Sequence, residues 1–86
     1  MIAEEFIGYY ILKNNYFQYK SGIIFKARLV KGFDNFRWID FIIYHSVSEC
    51  GLTFDITNGF SDNFKDFQKH IYPISKEELV IKDIIE

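Results

Sequence analysis

The sequence is poor in the residues that mark a disulfide scaffold, a flexible linker or a membrane span. It has one cysteine and one proline among 86 residues, and its apolar runs are all short. One cysteine excludes an internal disulfide framework, and a membrane span needs about 20 consecutive apolar residues. Residues 1–5 are acidic, whereas a secretory signal begins with positive charge. We therefore expect a single domain over residues 1–86 that lies in the cytoplasm and contacts no membrane.

A basic excess is also missing. Lys and Arg number 10 against 12 Asp and Glu, which gives a net charge of −2 and an isoelectric point of about 5.6. Domains that bind nucleic acid by neutralising phosphates usually present a basic face. The charge balance therefore disfavours nucleic acid as the partner, although it is compatible with a small local basic patch.

Aromatic side chains, by contrast, are abundant. Hydrophobic residues make up 49% of the chain and aromatic residues 20%, with ten Phe, six Tyr and one Trp. A chain this short buries only about 60% of its unfolded surface, so its core is too small to hold all of these rings. We expect some of them at the surface, where they favour binding of another protein or pairing into a homodimer.

Residues 36–45 form the longest β-favouring run, and both alternating faces of this run are largely apolar. This pattern is typical of a central strand covered on both sides. Residues 23–30 precede it as a second strand. A hairpin symmetric about Phe33 would place Lys26 opposite Asp40 and Arg28 opposite Trp38, which predicts an ion pair and a cation–π contact on one face.

The composition of residues 6–12 predicts another strand. The Asn pair at residues 14–15 suits a tight turn, so residues 16–20 would return beside it as a further strand. A helix from Ala3 to Lys13 is the competing interpretation, because its end charges suit the helix dipole. Gly8 and the adjacent tyrosines in its middle favour the strand.

The second half of the chain predicts a strand at residues 52–57 and a helix at residues 62–70. Ser61 is a suitable N-cap for that helix, and Tyr72-Pro73 stops it. Residues 75–85 are ambiguous, since Ser75 and Glu78 have capping-box spacing while the β-branched residues after them favour an edge strand. We expect a helical start. The fold class is therefore α+β, an antiparallel meander of four to five strands with one helix on a face, and a curled, barrel-like sheet is the alternative.

No catalytic or metal-binding motif is present. Asp40 interrupts the central strand, and it is either a carboxylate tuned for a ligand or a charge paired with Lys26; paired charges on sheets are far commoner. His45, Cys50 and His70 lack the spacing of a metal site, and no nucleophile elbow adjoins Cys50. We expect no enzymatic activity, no metal and no cofactor.

Aromatic and basic residues are mixed on the side of the sheet that we expect to be exposed. They comprise Tyr9, Tyr16, Tyr19, Lys20, Lys26 and Arg28. Such a surface suits either a single-stranded nucleic acid stacked on the rings or a protein partner that buries Tyr, Trp and Arg. The residues that we expect to bind a partner are Trp38, Asp40, Arg28, Lys26, Tyr9 and Tyr19.

These observations favour a small protein-interaction module that acts by covering a surface of its partner. Inhibitors, immunity or antidote proteins and phage anti-defence factors are of this kind, and the abundance of residues with A/T-rich codons indicates a bacterial or phage source. A module that binds a small ligand or single-stranded nucleic acid near Trp38 is the second hypothesis. A minimal enzyme that uses His45, Cys50 or Asp40 is the third.

Overall fold

The computed structural model describes residues 3–44 and 51–78. Its elements, in chain order, are β1 (Ala3–Leu12), β2 (Ile24–Lys31), β3 (Arg37–Ile43), β4 (Gly51–Asp55), α1 (Asp62–Gln68) and β5 (Ile71–Ile74). The strands form one antiparallel sheet in the order β4-β3-β2-β1-β5, which curls around α1. The predicted α+β class, with one helix on an antiparallel meander, is confirmed.

The hairpin of β2 and β3 exists, but its predicted register is wrong by two residues. Arg28 lies opposite Asp40, and Lys26 lies opposite Ile42 instead of Asp40. Because side chains alternate along a strand with a period of two, a slip of two residues leaves every side chain on its predicted face. The pattern therefore predicted the faces correctly and the partners incorrectly.

The turn between these strands explains the slip. Asp34 and Asn35 both have positive φ, of 56° and 66°, so the turn is centred on Asp34 rather than on Phe33. The N–H of Gly32 donates to the carbonyl of Phe36 at 2.8 Å and closes the turn. Asn and Asp tolerate this left-handed conformation better than most residues, which is why the chain reverses there.

β1 is a strand as predicted, but its predicted hairpin partner is wrong. It pairs with β2 on one side and with β5 on the other, and its bulge lies between Phe6 and Gly8. Residues 16–20 do not return beside it. Tyr16 and Tyr19 instead bond to each other's backbone in a tight turn.

α1 begins where the sequence predicts and ends slightly earlier. The Oγ of Ser61 accepts a hydrogen bond from the N–H of Phe64 at 3.2 Å, so Ser61 is the N-cap. His70 follows the helix, and the chain continues directly into β5, a strand that the sequence analysis missed. Pro73 is acceptable there because β5 is an edge strand, where a missing N–H costs no ladder bond.

The core lies between α1 and the curled inner face of the sheet. Phe67 is fully buried, and its ring lies 4.9 Å from that of Phe41 and 5.9 Å from that of Phe25, measured between centroids. Edge-to-face aromatic contacts of this kind add about 0.5–1.5 kcal/mol each beyond the area that they bury. The inner face is thus held by rings projecting from both layers.

The predicted helical start after β5 is confirmed for residues 76–78. Ser75 Oγ accepts a hydrogen bond from the N–H of Glu78 at 3.1 Å, which is half of the expected capping box. The rest of the ambiguous tail, residues 79–86, lies outside the described residues.

Candidate protein-binding face

The face of the sheet opposite α1 gathers five of the six predicted binding residues, and we call it the outer face. Side chains alternate along β2 and β3, so Lys26 and Arg28 point away from the buried Phe25 and Ala27. The cross-strand pairs Tyr9–Lys26, Arg28–Asp40 and Val30–Trp38 place these residues side by side. The members of the outer face that matter below are Glu4, Phe6, Tyr9, Lys26, Arg28, Trp38, Asp40 and Thr53.

Tyr19 is not on this face, and its predicted exposure is wrong. It is only 8% exposed, its ring lies 5.7 Å from that of Phe25 between centroids, and its hydroxyl donates to the carbonyl of Gly51 at 3.3 Å. The tight turn that begins at Tyr16 folds this segment over the inner face. Tyr16 likewise packs inward, with its ring 5.1 Å from that of Phe67.

A polar network lies at the centre of the outer face. Arg28 Nε donates to Asp40 Oδ2 at 3.1 Å, and Thr53 Oγ1 donates to Asp40 Oδ1 at 2.8 Å. Arg28 Nη1 also reaches Glu4 Oε2 at 3.4 Å. Asp40 is 8% exposed and both of its oxygens accept hydrogen bonds, which supports the paired interpretation of this carboxylate, with Arg28 rather than Lys26 as the partner.

This network borders a small polar recess of about 240 Å³. Its walls include Arg28, Asp40, Gly51 and Thr53. Trp38 is not among the lining residues; its ring instead covers Gly32, where an added Cβ would lie 2.9 Å from the indole. The recess therefore differs from the Trp38-lined ligand pocket expected from the sequence.

Phe6 is a residue of the outer face that sequence reasoning missed. It is 53% exposed, its ring lies 5.2 Å from that of Tyr9, and Lys26 Nζ lies 5.7 Å from its centroid. Because the bulge after Phe6 reverses the alternation, its face does not follow from counting along the strand. Other large apolar side chains are also exposed, as expected from the excess of rings: Ile7, Phe17, Phe33, Phe36, Phe60 and Tyr72.

The inner face is not completely filled. An apolar groove of about 430 Å³ lies between α1 and the sheet, and its lining includes Leu29 and Ile39 from the sheet and Phe64 from α1. Ile7 and Phe60 line it too, and both are exposed. Gln68 supplies a carboxamide. The sequence did not predict this groove because its lining residues come from separate strands and from α1, and they meet only in the folded chain.

The histidine and cysteine residues give no catalytic arrangement within the described chain. His45 and Cys50 lie outside the described residues. His70 Nε2 is 3.9 Å from Asp66 Oδ2, and its Nδ1 is buried without a hydrogen-bond partner. In residues 3–44 and 51–78, His, Cys, Asp and Glu nowhere form a group of three that suits a metal ion.

Two groups have shifted pKa values. The side-chain hydroxyl of Thr57, followed by its backbone N–H, lowers the pKa of Asp55, which lies opposite Trp38 at the edge of the outer face. On the inner side, burial and then the charge of Asp66 raise the pKa of Tyr16. Asp55 therefore keeps a negative charge beside the outer face at neutral pH.

Comparison of the chain with protein families, with curated proteins and with solved structures gives no significant match. Among the described residues, no helix is long and apolar enough to cross a bilayer.

Proposed function

We propose that this chain is a small cytoplasmic protein-interaction module that binds another protein through its outer face and acts by occluding the surface that it covers. The observation that carries the proposal is the grouping of Phe6, Tyr9 and Trp38 with Lys26 and Arg28 on one side of the sheet. An inhibitor, an immunity or antidote protein, or a phage anti-defence factor would act in this way.

The chemistry of this face supports a protein partner. Tyr, Trp and Arg dominate the energetics of protein interfaces because they bury large rigid surfaces and still offer polar groups. Arg28 is held by Asp40 and Glu4, so it loses little side-chain freedom on binding. The exposed ring of Phe6, with Lys26 beside it, is the contact best placed to be buried by a partner.

The charges of the same face disfavour nucleic acid. The cations Lys26 and Arg28 are offset by Glu4 and Asp40, and Arg28 already bonds to both carboxylates. Asp55 adds a further negative charge. Binding of phosphates depends on unpaired cations, so this face offers little of the electrostatic attraction that such binding requires.

The test compares capture of a partner by matched variants. The variant Phe6→Ala/Lys26→Ala removes the exposed outer-face contact, whereas Lys69→Ala removes an exposed cation beside α1, on the other side of the sheet. We expect a stoichiometric protein partner that wild type and Lys69→Ala retain equally and that the double variant binds at least about tenfold more weakly, as loss of an interface anchor predicts. Equal capture by all three proteins would refute the proposal.

The inner groove favours a second candidate function, binding of a small apolar molecule. Its volume of about 430 Å³ lies within the range of ligand sites, and its apolar walls with the carboxamide of Gln68 suit an acyl chain with one polar end. Titration with decanoate, followed by methyl resonances of Leu29 and Ile39, tests this candidate. Shifts at Ile39 that vanish in Leu29→Trp would support it, and methyl resonances that stay unchanged in the wild type would exclude it.

A further inference from the structure

One edge of β1 is open along half of its length. β5 pairs with β1 only from Tyr9 to Leu12, so residues 3–8 have no strand on that side within the described chain. After β5 the chain turns away, because Ser75 caps the helical turn at residues 76–78. Among the described residues, no strand continues the line of β5 beside residues 3–8.

The backbone groups on this open edge belong to Glu4 and Phe6. Ile24 accepts a hydrogen bond from Tyr44 across the hairpin, so the even-numbered residues of β2 direct their backbone groups toward β3. Glu4 and Phe6 lie opposite the even-numbered Val30 and Arg28. In antiparallel pairing, residues opposite such positions direct their own N–H and C=O away from the neighbour, here toward the open edge.

The side chains beside these groups are exposed. Residues 3–7 are all exposed, and the bulge between Phe6 and Gly8 ends the regular segment. Glu4 and Phe6 lie on the outer face. Glu5 lies on the inner face, as does its cross-strand partner Leu29. A strand added here would therefore extend the outer face by one strand, in direct contact with Phe6.

The carboxylates of this edge disfavour a second copy of the chain and favour a strand that carries cations. In a two-fold pairing of two copies, a register centred on Glu4 or on Glu5 would place identical carboxylates opposite each other, and one centred on Phe6 would run into the bulge. Like charges directly opposite each other destabilise a strand pair. Glu5 has no ion-pair partner among the described residues, so a cation on an incoming strand would meet an unpaired carboxylate.

We infer that the protein partner adds an extended segment to the open edge of β1, and that this segment alternates basic with apolar residues. Its backbone pairs with Glu4 and Phe6, its cations lie beside Glu5 on the inner side of the sheet, and its apolar side chains cover Phe6 on the outer side. This inference rests on the proposed function and specifies its mode of recognition, in which main-chain hydrogen bonds give affinity and side chains give selectivity.

The test uses the full chain and a capped peptide of alternating lysine and valine, long enough to pair with residues 3–7. The same peptide with glutamate in place of lysine is the charge control. The matched variants are Glu4→Pro and Glu4→Ala, which lose the same carboxylate but differ in the backbone N–H. Thermal unfolding followed by circular dichroism checks that both variants fold.

We expect the lysine peptide to bind at least about tenfold more tightly than the glutamate peptide, because charge complementarity decides between partners of equal shape. Glu4→Pro should weaken its binding at least about fivefold relative to Glu4→Ala, the loss expected for one backbone hydrogen bond. In the complex, the amides of Glu4 and Phe6 should become protected from hydrogen exchange.

Equal affinities for the two peptides, equal affinities of the two Glu4 variants, or the absence of binding would each overturn the inference. Protection of the same amides in a dimer of the free chain would assign the edge to a second copy and overturn it too. The inference can fail while the proposed function holds. If the Phe6→Ala/Lys26→Ala variant loses a captured partner that Glu4→Pro and Glu4→Ala bind equally, the outer face remains a binding site and only strand addition is ruled out. Equal capture of that partner by wild type and Phe6→Ala/Lys26→Ala would instead refute the proposed function.

Discussion

At the scale of single residues, Arg28 and Asp40 show how a binding residue can also be a structural one. Asp40 is nearly buried, and Arg28 and Thr53 satisfy its two oxygens. Removing Arg28 would leave one oxygen of this carboxylate without its hydrogen-bond donor. A buried acceptor without a donor lowers the free energy of unfolding by about 1–3 kcal/mol, which exceeds the net stabilisation from a typical ion pair. Arg28 is therefore a poor site for testing binding alone.

Arg28→Ala should lower the free energy of unfolding by about 1–3 kcal/mol for this reason. Lys26→Ala, on the same strand but exposed, should change it by less than about 1 kcal/mol. Urea denaturation of both variants measures the difference. Equal stabilities would mean that solvent replaces Arg28 at Asp40 without cost.

Tyr16 gives the fold a dependence on alkaline pH. Burial first, and then the negative charge of Asp66, raise its pKa above the usual 10.0, so the folded state favours the neutral phenol. The stability from this shift is fully present below pH 10 and is lost as the pH rises through the folded-state pKa.

Asp66→Asn should lower the pKa of Tyr16 toward its usual value, because it removes one of the two causes of the shift. Asp62→Asn, in the first turn of the same helix, is the control and should leave the pKa unchanged. A titration followed by the ring resonances of Tyr16 measures both. A pKa that is the same in Asp66→Asn as in wild type would show that burial alone causes the shift.

At the scale of elements, β4 depends on a close approach that requires glycine. A Cβ built on Gly51 would lie 1.9 Å from the carbonyl oxygen of Phe41 in β3, so any side chain there forces the two strands apart. Gly8 lies in β1, where the nearest atom to an added Cβ is 4.0 Å away. The same substitution at these two glycines therefore compares a position with no room for a side chain with one that has room.

Gly51→Ala should destabilise the protein by about 3 kcal/mol or more, as forced overpacking does, and Gly8→Ala should be nearly neutral. Thermal unfolding of the two variants distinguishes them. If Gly51→Ala proved as stable as Gly8→Ala, β4 would have to shift along β3 without losing its pairing.

The elements also show what the sequence could and could not predict. Alternation identified β2, β3 and β4 and their faces, and the capping residue Ser61 identified the start of α1. The predicted register of β2 on β3 was wrong because the register is set by backbone angles at Asp34 and Asn35, which composition constrains only loosely. The pairing of β1 with β2 and β5 was not predicted, because the Asn pair at residues 14–15 favoured a turn to a partner that is nearer in sequence.

At the scale of the whole molecule, the curled sheet separates two surfaces with different roles. Its inner face closes on α1 and leaves the apolar groove, whereas its outer face and the open edge of β1 carry the aromatic and charged residues. Five of the six predicted binding residues share the outer face, so the alternation of the strands was enough to bring most of them together. Phe6 was missed and Tyr19 was predicted on the wrong face, because a bulge and a tight turn decide where their side chains point.

Binding through the outer face can be followed at Trp38, the single tryptophan of the chain. Trp38 lies on the outer face, so its indole N–H resonance reports on that face when an unlabelled partner is added to the isotope-labelled chain. If the outer face binds the partner, this resonance shifts or broadens at one equivalent of partner, and Phe6→Ala/Lys26→Ala abolishes the change. A partner that binds while the Trp38 resonance stays unchanged would show that it binds elsewhere on the chain.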